Sequence, residues 1–210
     1  MGDYLWLLDN GHGGIIDGEY QTKGKRSPLW SDNRQLFEGE FNRAIVARLI
    51  ELMTPAGIHY VNLSPEHEDV PLKERARRAN EIYSKQNIDV RECILLSIHS
   101  NAGGGSGYEV YTSKGETRSD LVATIFFNKF AQAFPLSRMR TCMVDGDVDK
   151  EANYTVLTDT HMPAILTESF FYDNEEECKN FLMTKKGRDR IASAHFDAIM
   201  DIERKGIRRV

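Results

Sequence analysis

The sequence predicts an α/β fold: a three-layer arrangement with a largely parallel central sheet flanked by helices on both faces. Three observations carry this. Short apolar runs of strand length alternate with stretches of helical periodicity along the chain. One run, Cys93 to His99 (CILLSIH), is apolar almost throughout, as a strand covered on both faces must be. Strands separated by helices read as βαβ units, which place parallel strands beside one another.

Taken in order, Tyr4 to Leu8 is the first strand candidate, ending in Asp9-Asn10-Gly11-His12-Gly13-Gly14, where the glycines force a loop. Residues 17 to 35 are polar and read as a long surface excursion. From Glu38 to Met53 the spacing of Phe41, Ile45, Leu49 and Leu52 predicts a helix, stopped by Pro55 and Gly57. Ile58 to Leu63 is a second strand, and Leu72, Arg75, Ala76, Ala79 and Ile82 mark a second helix. After the central run comes glycine-rich Gly103 to Gly107, then a strand from Tyr108 to Thr112 and a helix from Ser119 to Phe134. Pro163 to Glu168 is a further strand; helices over Glu175 to Met183 and Arg188 to Arg204 close the chain. There is no internal repeat and no linker composition, so the 210 residues are expected to form a single domain, 1 to 210.

Composition narrows the function classes. The net charge is -5, which argues against a nucleic-acid partner. Local basic clusters (Lys23 to Arg26, Lys185 to Arg190, Arg204 to Arg209) read as solvated faces. No apolar run reaches the ~20 residues of a transmembrane helix. The start, MGDYLWLLDNGHGG, lacks a basic n-region and a cleavage site, so no export signal is expected. Cys93, Cys142 and Cys178 are odd in number and widely spaced, which fits free thiols rather than a disulfide framework or thiolate metal site. No phosphate-binding glycine-lysine loop is present, and Gly103 to Gly107 opens no helix, so a nucleotide-binding reading is excluded.

In open α/β sheets, ligands bind beyond the carboxyl ends of the strands. His12 follows the first strand, His99 the central one, and Glu168 ends the Pro163 strand. A single histidine after a strand is ordinarily a structural hydrogen-bonder, and a glutamate there a surface residue; three such residues converging on one sheet edge suggest a site. Catalytic zinc takes about three nitrogen or oxygen ligands and leaves a position open. Glu38 and Glu40 both stand at the start of the first helix. At roughly 100° per residue, Glu38 shares the face of Phe41, Ile45 and Leu49, whereas Glu40 should face solvent. His12, Glu38 and His99 are therefore the expected zinc ligands, and Glu168 is left for proton transfer beside a metal-activated water. His59, His67 and His195 read as structural. His161, just before Pro163, is a candidate for supporting the ligands or touching substrate.

These residues lie in motifs that resemble the amidase-3 family of zinc-dependent N-acetylmuramoyl-L-alanine amidases, found among bacterial autolysins and phage endolysins. LDNGHGG (8–14) resembles the segment carrying the family's first zinc histidine, here His12. Glu38, with Asn42 four residues on, resembles the glutamate ligand and its helix. VPLKERARRAN (70–80) is similar to a Leu-x-x-Arg-x-x-x-Ala-Asn helix, LLSIHSNA (95–102) to the second histidine motif with His99 and Asn101, and PAILTESFFYDN (163–174) to the segment with the catalytic glutamate, here Glu168. The resemblance covers residues 4 to 204. It implies hydrolysis of the amide between N-acetylmuramic acid and L-alanine in peptidoglycan, with Zn2+ as cofactor; Asn42 and Asn101 become candidates for supporting the site. It also implies a lysin held in the cytoplasm until release to the cell wall, or a trimmed secreted autolysin. Three departures stand out. LSPEHED (63–69) lacks an arginine the family often has, Asn10 stands where proline is common, and acidic Arg138 to Asn153 matches nothing in the family. A zinc peptidase and a non-catalytic wall-binding module are the rival readings.

Overall fold

The computed structural model describes residues 4–85, 93–143 and 146–207. The Met1-Gly2 start and the last residues of the 204–209 basic cluster lie outside them. Its main sheet has six strands. In chain order these are β1 (Leu5–Asn10), β4 (His59–Asn62), β5 (Cys93–Asn101), β6 (Tyr108–Thr112), β7 (Lys150–Glu151) and β8 (Ala164–Phe171), arranged β4-β1-β5-β8-β6-β7. The β4, β1, β5 and β8 strands are mutually parallel; β6 runs antiparallel to β8, and β7 is parallel to β6. Two short strands, β2 (Ile15–Ile16) and β3 (Glu19–Tyr20), form a separate hairpin.

Strand alternation divides the core between two faces. Trp6, Leu8, Ile94, Leu96 and Ile98 enter a large core beneath α1 (Glu38–Met53), α3 (Arg118–Ala133) and α6 (Lys185–Lys205). Leu7, Cys93, Leu95, Ala164 and Leu166 enter a smaller one beneath α2 (Leu72–Lys85) and α4 (Thr155–Thr158). Helices thus cover both faces, which is why CILLSIH contains so few polar residues. Within α1 the buried stripe is Phe41, Ile45, Leu49 and Met53, with Leu52 only half-buried. The expected helix over 175–183 resolves into a single α turn, α5 (Glu175–Glu177), and a π-helical turn over Cys178–Leu182. No helix among the described residues is long and apolar enough to cross a membrane. The three cysteines are free, and burial pushes the Cys93 thiol up to about 12.

Two polar groups inside these layers carry weight. Asp9 is buried between β1 and α2, where Arg75 Nη1 donates to its Oδ1 at 2.6 Å and Ser97 Oγ to its Oδ2 at 2.7 Å. Burial opposes ionisation of Asp9, but Arg75 and Ser97 outweigh it and hold the carboxyl low. On the other face His195 of α6 lies 1% exposed between the Ile191 carbonyl (2.8 Å) and the Thr167 hydroxyl (3.0 Å). Burial brings its pKa from 6.5 to about 4. The unfolded chain therefore binds a proton that the folded chain refuses between those values, so stability is complete above pH 6.5 and falls as pH drops towards 4. Urea unfolding at pH 7 and pH 4.5 should reveal a loss of about 2–3 kcal/mol from this group, absent in His195→Gln. An identical pH dependence in the two proteins would contradict this account.

Candidate active site

The C-terminal edge of the sheet is built by three strands that run further than their apolar patterns suggest. β1 continues to Asn10, β5 to Asn101 and β8 to Phe171, so His99 and Glu168 are ladder residues directly opposite each other across β5 and β8. Glu109 of β6 faces Glu168 from the other side. Beyond the His99–Glu168 pair the register slips: Asn101 pairs with Phe171, leaving an additional residue on β8. Phe170 absorbs this bulge in a left-handed conformation (φ 63°), held by stacking on Phe181 at 4.4 Å. His12 is also left-handed (φ 71°). Such a backbone costs about 1–3 kcal/mol at a non-glycine residue, and here it swings the imidazole back over the sheet edge.

The His12, Glu38 and His99 side chains meet there. Glu38 Oε1 lies 3.2 Å from His12 Nε2 and 3.0 Å from His99 Nδ1, and the two imidazoles stand edge to face at 4.9 Å. Glu38 is 2% exposed. Burial raises its carboxyl, but the two histidines pull harder and hold it below the carboxylate range. Burial lowers His12 and keeps it neutral, as a ligand must be. One ligand atom from each residue lies within 4.8 Å of the others, and His12 Nε2 is shielded from water with Glu38 Oε1 beside it. Two imidazoles and one ionised carboxylate match the donor set of a catalytic zinc, so these residues fit that ion.

Glu168 sits beside this cluster. Its Oε2 is shielded from water and has no hydrogen-bond partner. Burial is the main cause that raises its pKa well above the carboxylic range; Glu38 and Glu109 add to it, and Lys25 partly offsets it. Glu109 is itself held ionised: burial opposes this, but Lys150 (2.7 Å), Tyr111 (2.6 Å) and Arg140 all donate to it and lower its pKa.

The supporting groups explain how the loop holds its shape. Asn42 is fully buried, and its Nδ2 donates to the Gly11 carbonyl at 2.8 Å. Asn101 Nδ2 donates to Glu109 Oε2 at 2.9 Å. The polar excursion folds back on the site: Gly39 N–H donates to Tyr20 Oη (2.8 Å), and Thr22 bridges Gly13 N–H and Asp69. Glu40 departs from its expected role. It is half-buried, accepts the Ile15 N–H at 2.9 Å and approaches His67 at 3.8 Å, so it ties down the loop after His12.

His161 does not join the site, and its expected role there is corrected. It precedes β8, whereas Glu168 lies towards the strand's other end, and a strand rises roughly 3.3 Å per residue. Its side chain is exposed, and its N–H donates to Asn80 Oδ1. Sequence reasoning missed Glu109, Arg140, Lys150 and Lys25. Glu109 was inside a strand that read as structural, and the two basic partners lie in or beside the acidic segment that matched no motif.

Comparison with known proteins places this geometry in context. The family described as N-acetylmuramoyl-L-alanine amidase matches residues 7–201. The chain is 26% identical over 212 residues to an endolysin of Bacillus phage SPP1, a match covering 96% of this chain and 66% of that protein. It is 36% identical over 85 residues to the N-acetylmuramoyl-L-alanine amidase CwlM of Bacillus licheniformis, covering 40% of this chain and 31% of that one. The chain therefore spans under two thirds of the length of these relatives. Among solved structures, an N-acetylmuramoyl-L-alanine amidase from Clostridium difficile 630 superposes with a TM-score of 0.74 at 26% identity, covering 96% of this chain and 97% of that one.

Proposed function

We propose, since the chain belongs to the N-acetylmuramoyl-L-alanine amidase family, that it hydrolyses the amide joining N-acetylmuramic acid to L-alanine in peptidoglycan, using a zinc ion held by His12, Glu38 and His99. The observation that carries this is the convergence of those three donors within 4.8 Å beside the half-buried Glu168 carboxyl, whose Oε2 is shielded and unpartnered. Zinc in such a site lowers the pKa of a water to about 7 and polarises the scissile carbonyl.

The chain's own residues supply the rest. Glu168 takes the proton of the attacking water on its free Oε2 and delivers it to the departing amine of L-alanine. Its proton affinity, raised by burial, favours the step in which it takes that proton. Glu109, kept ionised by Lys150, Tyr111 and Arg140, sustains that affinity through repulsion across the β6–β8 ladder. Asn42 fixes the Gly11 carbonyl and with it the approach of the His12 loop; Asn101 holds Glu109 in place. Similarity to the phage endolysin across nearly the whole chain supports a role in wall lysis.

Digestion of purified peptidoglycan with and without a chelator tests the reading. Mass analysis should find free stem peptides beginning at L-alanine beside intact glycan strands, abolished by chelation and restored by zinc. Cleavage inside the stem peptide would make the enzyme a peptidase, and absence of cleavage by the zinc-loaded protein would sink the amidase assignment.

A further inference from the structure

We propose that Asp120, Asp147 and Asp149 form a second metal site, selective for calcium, at the sheet edge opposite the histidine cluster. One carboxylate oxygen from each lies within 4.8 Å of the others. Two ligands of one Ca2+ stand at most about 5 Å apart, since Ca–O distances are about 2.3–2.6 Å. Asp149 is 2% exposed. Its Oδ2 accepts the Thr112 hydroxyl at 2.6 Å, but its Oδ1 is sealed from water with no hydrogen-bond partner, and so is Oδ1 of Asp147. Buried carboxylate oxygens demand a donor or a cation.

No protein cation answers that demand. Among the described residues, none of these three aspartates pairs with Lys, Arg or His. Lys150, the next residue in the chain, turns instead to Glu109. Asp120 is used in the capping box of α3, accepting the Thr117 N–H at 2.6 Å and the Thr117 hydroxyl at 3.1 Å. The helix N-terminus offsets charge at Asp120 alone, and each carboxylate oxygen keeps a lone pair for an ion. An all-oxygen carboxylate donor set selects a hard cation, and Ca2+ exchanges its waters for protein oxygens more readily than Mg2+, which dehydrates reluctantly. The ion would fasten the acidic 146–149 segment to the start of α3 and to the end of β6. It would thereby fix the strand that carries Lys150.

Equilibrium dialysis of the zinc-loaded protein against 45Ca2+, with zinc content read in parallel, tests this. One Ca2+ per chain should bind with a Kd of about 10⁻⁴–10⁻³ M, and about tenfold or more weakly in Asp149→Asn and in the half-buried Asp147→Asn, because affinity follows the charge of the ligand set. Both variants should keep their zinc, and the rise of Tm on adding Ca2+ should be confined to the wild type. His99→Ala should lose zinc and still bind Ca2+. Absence of Ca2+ binding at millimolar concentration, equal affinity in both aspartate variants, or an equal response to Mg2+ would overturn the proposal.

Discussion

Glu168→Gln should lower turnover on peptidoglycan by about 10²–10⁴-fold, the usual worth of a positioned general acid–base group, while zinc content stays at the wild-type level. The substitution is nearly isosteric and removes only the ability to accept a proton. Glu168 is not one of the three converging donors His12, Glu38 and His99, so the metal cluster should be retained. The amide of glutamine replaces a carboxyl that burial already drives towards neutrality, so stability should be unchanged or slightly higher. The loss corresponds to about 3–5 kcal/mol of transition-state stabilisation. The informative measurement is kcat on soluble muramoyl peptide together with metal analysis of the same sample. Near-normal kcat would remove Glu168 from proton transfer, whereas lost zinc would make it a ligand.

The sheet order and the helix faces were legible because burial on both faces leaves a plain signature. CILLSIH reads as central, and it is central, with β1 and β8 on either side. Glu38 was separable from Glu40 because helical periodicity places one on the buried face. Its geometry could not show that Glu40 would be recruited by the Ile15 N–H, a contact made by a loop with no periodicity. Strand ends were read short for a related reason. Asp9, Asn10, Ser100 and Asn101, which extend β1 and β5, are polar and stand at the site, and β8 runs on past the charged Glu168 through Ser169 to Phe171. The antiparallel entry of β6 was hidden as well, since residue pattern carries no strand direction. In the sequence Arg75 marks only a helix and Asn80 only a motif position; the fold makes them a buried partner for Asp9 and an anchor for the 159–161 turn. His161 stands close to Glu168 along the chain, but the rising β8 strand separates the two and leaves His161 at the opposite edge of the sheet.

The same logic makes a residue without a side chain one of the most sensitive positions in the site. Gly11→Ala should weaken zinc binding by about 10–100-fold, the range seen when groups that orient metal ligands are disturbed, and lower activity in step at limiting zinc. A Cβ at Gly11 would lie 2.0 Å from Cε1 and 2.1 Å from Nε2 of His99, distances that no non-bonded pair tolerates. One partner must move. The backbone is poorly able to, because Asn42 holds the Gly11 carbonyl at 2.8 Å and Asn10 is laddered to Ile98. The imidazole therefore gives way, and its displacement separates His99 from Glu38 Oε1, now 3.0 Å away. Competition with a chromophoric chelator reads the zinc affinity directly, and a thermal melt checks that the fold persists. Excess zinc should recover much of the activity of Gly11→Ala, because the ligands remain and only their alignment is damaged. Wild-type zinc affinity in this variant would mean that the loop after β1 yields freely, and that the site owes its shape to something other than the close seating of His99 on Gly11.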